Sequence, residues 1–337
     1  MDSPFVSLII PCRNEALFIR QCISSIQEND YPAGRVEMVV VDGLSSDHTL
    51  DIVNELAQKD NRITVLTNPK KVFPAAVNIG LDASKGQVIF ILGAHAIYPP
   101  DYISVCVKML YQLDAGNVGG VLNTIGMNSS WVGRMIQQTL SNPFGVGNSR
   151  FRTGVTEVME TDTVFGGCYP RDIFNSVGLF NENLESSSDI DFNTRLKKAG
   201  KKIYIIPHLL VTYYTRSTFI KFIVNNYRNG FWAIYPMRFV DYIPVRLRHF
   251  IPLFFFSALT GLILLQCIWP WIKIPLGALL LIYLSGALFF SFKSVRFNFP
   301  ALFLLPFFFF LLHIIYGLGS FVAVVKVIFY RMFKRTR

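Results

Sequence analysis

The first hundred residues alternate short apolar runs with stretches of helical spacing. Residues 6–11 (VSLIIP), 36–41 (VEMVVV), 62–66 (RITVL) and 87–92 (QVIFIL) are β-rich and almost continuously apolar. Between them, residues 15–28, 48–59 and 73–84 space apolar side chains as helices do, with Leu17, Cys22, Ile23 and Ile26 expected on the inner face of the first. Strands alternating with helices predict an α/β fold with parallel strands. Runs without polar alternation predict a sheet covered on both faces. The pattern changes after residue 215. Residues 216–232 (RSTFIKFIVNNYRNGFW) carry Phe219, Ile223, Tyr227 and Phe231 every four residues, with Phe222 beside them and Arg216, Lys221 and Arg228 among them. This predicts an amphipathic helix, lying in a membrane interface or packed on protein. Three uncharged runs follow at 250–269, 274–292 and 297–325. About 20 apolar residues, at a helical rise of 1.5 Å, cross a hydrocarbon core of about 30 Å.

Composition divides at the same point. The 337 residues include 32 Lys+Arg and 22 Asp+Glu, with 52% apolar and 16% charged residues. That balance excludes a disordered chain, a disulfide-stapled mini-protein and a collagen-like fibre. Residues 1–215 sum to −3, whereas residues 216–337 sum to +13 and hold one acid, Asp241. The expected organisation is a mixed α/β domain over 1–215, an amphipathic helix and juxtamembrane linker over 216–248, and transmembrane helices with a basic tail over 249–337. Positive charge beside long apolar runs points to membrane lipid as a partner and not to nucleic acid. Met1-Asp2-Ser3-Pro4 has no basic or apolar signal region, so the N-terminal domain is expected in the cytoplasm. Cys12, Cys22, Cys106, Cys168 and Cys267 show no metal or disulfide spacing and are expected as reduced thiols.

Arg246 and Arg248 before the first span, and Lys293 and Arg296 after the second, fit one cytoplasmic side. A single third span then exports Lys326, Arg331, Lys334, Arg335 and Arg337. Two half-helices broken at Pro306, Gly317 and Gly319 do not, provided protein buries the re-entrant backbone. Both arrangements stay open. His313 within this run is either functional or a neutral histidine satisfied by a neighbouring helix.

Polar residues gather at the strand ends. Asn14 and Glu15 follow the first strand, Asp42, Ser45 and Asp47 the second, and Gly93, Ala94 and His95 the fourth. Ligands of such sheets bind at the carboxyl ends of the strands. Three polar turns on one edge therefore predict a ligand site.

The segments SLIIPCRNE (7–15), VVVDGLSSDHT (39–49) and NPKKVFPAAVNIGLDASKGQVIFILGAHA (68–96) resemble family 2 glycosyltransferases of the GT-A fold. GAHAIYP (93–99) resembles the succinoglycan-biosynthesis type. The resemblance continues through FGGCYPRDIFNSVGLFNE (165–182), SSSDIDFNTRLKKAGKKIYIIP (186–207) and YYTRS (213–217), covering roughly residues 5–235. It implies a GT-A, Rossmann-like mixed sheet followed by membrane helices. It also implies inverting sugar transfer from a nucleotide-sugar donor to a lipid-linked or polysaccharide acceptor, in a multi-pass protein of the cell (inner) membrane. By the same resemblance Pro11, Arg13, Glu15 and Asp42 contact the donor base or ribose, Lys71 and Asn78 make further donor contacts, and Gly166, Gly167 and Cys168 form an acceptor-side loop.

The family base is an aspartate six residues before an Arg-Leu pair, which is Asp189 here, with Asp191 as runner-up and Ser188 where the pair's first acid is absent. Residues i and i+2 of a helix do not share a face, so one of the two faces the site. Asp189 as a simple cap of a helix over 190–199 is the structural alternative. The family also implies a divalent cation, Mn²⁺ or Mg²⁺, held by two aspartates spaced i, i+2. This chain offers Gly93-Ala94-His95, and Tyr213 where a third ligand is often histidine. His95 remains for metal or for phosphate directly. The alternative reading is a non-catalytic relative that binds nucleotide-sugar or a partner in a polysaccharide assembly complex, and Gly93 is its support. A transporter is disfavoured by the scarcity of ionisable residues in the spans.

Overall fold

The computed structural model describes residues 3–126, 130–215, 218–243, 245–295 and 299–334. Arg216, Arg296, Arg335 and Arg337, which enter the helix and topology expectations, lie outside the described residues. The chain forms two compact units, Met1–Asn123 with Gly154–Tyr214, and Thr124–Thr153 with Thr215–Arg337.

The first unit is built on a nine-stranded sheet. Its strands are β1 (Val6–Cys12), β2 (Val36–Asp42), β3 (Ile63–Thr67), β4 (Val88–Ile91), β5 (Ala96–Ile97), β6 (Asn117–Gly126), β7 (Met159–Glu160), β8 (Phe165–Pro170) and β9 (Ile203–Thr215). The spatial order is β3-β2-β1-β4-β8-β6-β9-β5, with β7 on β9. The first four strands run parallel, and β8 pairs antiparallel with both β4 and β6. The parallel strands sit where the apolar runs predict them. The crossover helices α1 (Ile19–Gln27), α2 (Thr49–Lys59) and α3 (Phe73–Ala83) begin and end within a few residues of the predicted ones, but Leu17 precedes α1 and is exposed, not on its inner face with Cys22, Ile23 and Ile26. The chain winds outward from β1 to β3, and α3 then returns it to β4 on the other side of β1. That reversal opens a crevice at the carboxyl ends of β1 and β4. Ile9, Val77, Leu81, Ile89, Tyr169, Phe192, Leu196 and Ile203 form one core beneath it.

Helix α4 (Tyr102–Gln112) follows β5, and the chain then enters the second unit with α5 (Trp131–Leu140), α6 (Pro143–Val146) and α7 (Arg150–Thr153). In this the contacts differ from a division at residue 215. Helix α5 has its apolar partners in the second unit, where Met135 and Ile136 pack with Phe222, Ala301, Phe308 and Leu312. The chain returns through α8 (Ile173–Val177) and α9 (Ser188–Lys198) to complete the first unit.

The second unit continues with α10 (Phe219–Ile234), α11 (Ile251–Leu265), α12 (Lys273–Val295) and α13 (Phe299–Lys334). Three helices are long and apolar enough to cross a membrane, Leu247–Leu265, Pro270–Ser294 and Pro300–Phe333. Side chains such as Phe254 and Ile282 are 66% and 73% exposed in the protein alone, as a lipid-facing surface requires. Helix α13 runs unbroken through Pro306, so it is not two half-helices. Its 36 residues span about 54 Å, well beyond a core of about 30 Å. Gly317 and Gly319 are packing positions and not breaks. A Cβ at Gly319 would lie 2.2 Å from the Tyr227 carbonyl oxygen, and one at Gly230 would lie 2.0 Å from that of Tyr316. Close helix approach through small residues is how membrane helices associate. The protein-facing stripe of α10 is therefore Phe222, Asn226, Gly230 and Ala233, one step round from the predicted Phe219–Ile223–Tyr227–Phe231 row. The α13 end lies against the same segment, with the Arg331 guanidinium donating to Met237 O at 2.9 Å and Arg238 over the Tyr330 ring. His313 Nδ1 shares a 2.7 Å hydrogen bond with the Tyr283 hydroxyl, the satisfied arrangement.

Candidate active site

The register of β1 on β2 sets Pro11 beside Val41 and Cys12 beside Asp42, so both strands end at one level. The turns beyond them are tied together by polar side chains. Asn14 adopts φ 57° and accepts from Ser46 N through its side chain at 2.8 Å, while its own N–H donates to Ser45 Oγ at 2.9 Å. Asp42 accepts from Ser45 N and Oγ at 3.0 and 2.5 Å. The Glu15 N–H donates to Thr49 Oγ1 at 2.8 Å, and Ala16 N–H to Asp47 at 3.2 Å. The third turn joins through a side chain, because His95 Nδ1 lies 3.4 Å from Glu15 Oε1. Arg13 lies over Gly43, within 3.2 Å of where a Cβ would be. Pro11, Arg13, Glu15, Asp42 and His95 thus share one edge of the sheet. Burial raises the Cys12 thiol, and the Asp42 and Glu15 carboxylates raise it further. Burial pushes Cys22 up to about 12. Neither is a ready thiolate nucleophile.

Two other donor-side residues are placed differently. The Asn78 amide is engaged by the loop before α9, with Nδ2 donating to Phe180 O and Glu182 Oε1 at 2.9 Å and Oδ1 accepting from Phe180 N at 3.0 Å. Lys71 is exposed at φ 62°, next to the Lys70–Glu182 ion pair. On the other side of β4, the Tyr102 hydroxyl donates to Phe165 O and Gly166 O at 2.9 and 2.8 Å. Gly166 has φ 63°, and a Cβ on it would meet that hydroxyl at 2.5 Å. Gly167 leaves room for Asn117 Oδ1 and the Tyr169 hydroxyl. Gly166, Gly167 and Cys168 lie on strand β8 and not on a loop as expected, and Cys168 is fully buried.

The two aspartates of α9 separate cleanly. Ser187, at φ 62°, occupies the cap position, so Asp189 stands in the first helical turn and not at the cap. Asp189 is exposed, and its charge, after burial, holds the Tyr169 hydroxyl protonated. A carboxylate in a first turn is favoured by the helix dipole. Asp191 is 1% exposed and bound to Arg195, which reaches its Oδ2 from Nε and Nη2 at 3.0 Å. The same guanidinium donates to Val177 O and Leu179 O. Beneath them a buried amide chain links Asn117 to Asn193 and Asn193 to Thr163.

The divalent ion implied by the family has a poor set of ligands. Among the described residues no three His, Cys, Asp or Glu side chains converge as a metal group. Position 93 has no side chain, and a Cβ there would lie 2.8 Å from Phe165 Cζ. Tyr213 stands opposite Ala96 across the β5–β9 pairing, its ring 4.8 Å from that of His95. Hard divalent ions take oxygen-rich shells, so these residues do not fit a protein-held ion. Phe165, Tyr98 and Tyr102 are the site residues that sequence reasoning missed. The tyrosine of GAHAIYP was the available signal for Tyr98.

The description "Glycosyl transferase family 2" matches residues 7–168. The chain is 32% identical over 234 residues to dolichyl N-acetyl-alpha-D-glucosaminyl phosphate 3-beta-D-2,3-diacetamido-2,3-dideoxy-beta-D-glucuronosyltransferase of Methanococcus voltae, covering 67% of this chain and 72% of that protein. It is 30% identical over 216 residues to succinoglycan biosynthesis protein ExoA of Rhizobium meliloti, covering 63% of this chain and 64% of that protein. The mannosyltransferase PcManGT of Pyrobaculum calidifontis, solved with GDP-Man and Mn²⁺, shares the fold at a TM-score of 0.59 and 20% identity, over 96% of this chain and 87% of that one. The chain belongs to the family 2 glycosyltransferases, enzymes that transfer a sugar from a nucleotide sugar, and its sheet is a GT-A sheet.

Proposed function

We propose that the protein is a membrane-anchored inverting glycosyltransferase acting on a lipid-linked or polysaccharide acceptor at the cytoplasmic face of the membrane. The observation that carries this reading is the set of three turns at the β1–β4 crevice, tied through Asn14–Ser46, Glu15–Thr49 and Glu15–His95. Asp42, acceptor-only when ionised, takes hydrogens from a base N–H or ribose hydroxyl. Asp189 is the general base. It removes the proton of the acceptor hydroxyl as that oxygen bonds to the anomeric carbon. The bond from that carbon to the donor phosphate breaks on the opposite face, and the nucleoside diphosphate leaves with the electron pair. Three apolar helices support the anchor, and the name of the Methanococcus relative, a transfer onto a dolichyl-linked sugar phosphate, supports a lipid-linked acceptor.

The test is sugar transfer by the detergent-purified chain from UDP- and GDP-sugars to polyprenyl-phosphate-linked saccharides, with the product's anomeric configuration read by NMR. Retention of configuration refutes the single-displacement step, and absence of turnover with every donor and acceptor favours the non-catalytic reading that Gly93 suggests.

A further inference from the structure

The backbone around Gly93 is held from two directions. The Gly93 N–H donates to the Tyr98 hydroxyl at 2.7 Å, and Tyr98 is buried. Its ring stacks on Phe165 at 6.5 Å between centroids. Phe165 arrives from β8, whose antiparallel register on β4 pairs Val88 with Pro170 and Phe90 with Cys168. Continued along both chains, that register sets residue 165 opposite residue 93. The Phe165 carbonyl accepts from Tyr102, and its ring meets Tyr213 edge-on at 5.7 Å. The ring is therefore wedged between two others and cannot swing away without displacing them. Its tip fills the direction in which a side chain at 93 would project. Tyr213 in turn leans on His95, and the Phe18 ring lies 6.4 Å from that imidazole. The Phe165 and Phe18 rings supply no oxygen donor, and the Tyr98 hydroxyl is taken up by the Gly93 backbone. Arg13 brings a guanidinium cation to these turns and His95 a ring nitrogen, and guanidinium suits phosphate oxygens.

We propose that Phe165 occupies the place of the first metal-binding carboxylate, and that this crevice binds a nucleoside diphosphate without a divalent ion held by the protein. The proposal rests on the reading of the chain as a nucleotide-sugar transferase and specifies how its donor end works. It also fixes the behaviour of position 93. Gly93→Asp alone cannot restore an ion site, because the new side chain meets the Phe165 ring; the carboxylate needs the ring removed as well.

The experiment is calorimetric titration of UDP and GDP into the full chain in detergent, with EDTA or with Mn²⁺, for the wild type, Gly93→Asp, and Gly93→Asp combined with Phe165→Ala. Expected is wild-type affinity within about threefold in EDTA and Mn²⁺, no Mn²⁺ response for Gly93→Asp, and at least about tenfold tighter binding with Mn²⁺ for the double variant. A gain of about tenfold, or 1.4 kcal/mol, on adding Mn²⁺ to the wild type overturns the proposal. The same gain in Gly93→Asp alone overturns it too, since the ring would then not be the obstacle. Should neither nucleotide bind any of the three proteins, the transferase reading fails. Mn²⁺ titration followed by electron paramagnetic resonance then decides the ring's role alone: binding confined to the double variant upholds it, and any other pattern refutes it.

Discussion

Asp191→Asn and Asp189→Asn differ by two positions and should fail in different ways. The Asp191 carboxylate is buried and doubly bonded to Arg195, whose side chain is 23% exposed. Breaking a buried ion pair by removing one partner costs about 3–5 kcal/mol. Two carbonyls, Val177 O and Leu179 O, continue to satisfy the guanidinium here, which brings the expected loss to about 2–3 kcal/mol. The unit that contains α9 has about 180 residues. At roughly 2 cal/mol/K of unfolding entropy per residue, that loss lowers the midpoint of its melting by about 5–8 °C. Asp189 is exposed in the first turn of α9, where its charge is worth about 0.3–1 kcal/mol, so its neutral isostere should lower the midpoint by only about 1–3 °C. Loss of a general base should reduce turnover about 10²–10⁴-fold. Scanning calorimetry is the right melt, because all four tryptophans, Trp131, Trp232, Trp269 and Trp271, lie in the other unit and fluorescence would not report on α9. Turnover is read in parallel at a temperature well below either midpoint. An Asp191→Asn protein that melts like wild type but has lost transfer, or an Asp189→Asn protein with normal turnover, would refute the assignment.

Gly230→Leu and Gly319→Leu should each abolish a monodisperse, folded preparation, since a Cβ at either meets a carbonyl oxygen of the facing helix at about van der Waals overlap. Gly261→Leu, with nothing within 4 Å of its Cβ, should purify like wild type on size exclusion; equal behaviour of all three would dissolve the α10–α13 packing argument. Asp60 is held well below the usual carboxylate range by its Arg62 hydrogen bonds, with burial opposing and Gln27 assisting. A depressed folded value stabilises above the unfolded one, about 3.9, and the stabilisation fades as pH falls through the folded value. Asp60→Asn should therefore melt below wild type at pH 7 and approach it as the pH drops below 4; a gap that stays constant into acid contradicts the linkage. Phe165→Ala should loosen the Tyr98–Phe165–Tyr213 stack, at a cost of about 3–5 kcal/mol discounted for the ring's partial exposure, and calorimetry that shows no shift would mean the ring is not wedged.

The parallel half of the sheet was legible because both its faces are covered. Val, Ile and Leu then fill most positions of β1, β2 and β4, and the turn residues between them stand out. The antiparallel half hides for the opposite reason. Strands β6 and β8 read NVGGVLNTIG and FGGCYP, with glycines where backbones nearly touch: a Cβ at Gly119 would lie 2.6 Å from Phe165 O and one at Gly120 2.4 Å from Leu209 O. Close approach replaces apolar burial there, so no hydrophobic period marks the strands. The membership of residues 124–153 in the helical unit was hidden as well, since it depends on α13, more than 150 residues away. Motif distance picks out Asp189 and helix geometry sets it apart from Asp191, but which of the two is buried was not legible, because Arg195 i+4 from Asp191 and the carbonyls of 177 and 179 decide it.

The departures from the family pattern bear on one another. Phe165 closes on position 93 and meets Tyr213, which in turn lies against His95, and Ser188, where the first acid of the pair is absent, is itself 2% exposed. A carboxylate at 188 would be buried beside the Asp189 and Asp191 charges, at a desolvation cost a serine avoids. A site that had only lost its metal-binding acids would keep the space those acids needed, and an apolar void of that kind costs stability in proportion to its volume. Here the space at 93 is closed by a ring that two neighbouring rings flank, and the remaining polar groups are tied into the turns of β1 and β2. Closure of that kind is what the proposed ion-free site would use: a fixed wall, His95 beside Glu15, and the exposed Asp189 as the proposed base on α9. The acids that are missing and the aromatics that are present are therefore one structural fact, and the activity of the wild type in EDTA is where it becomes a functional one.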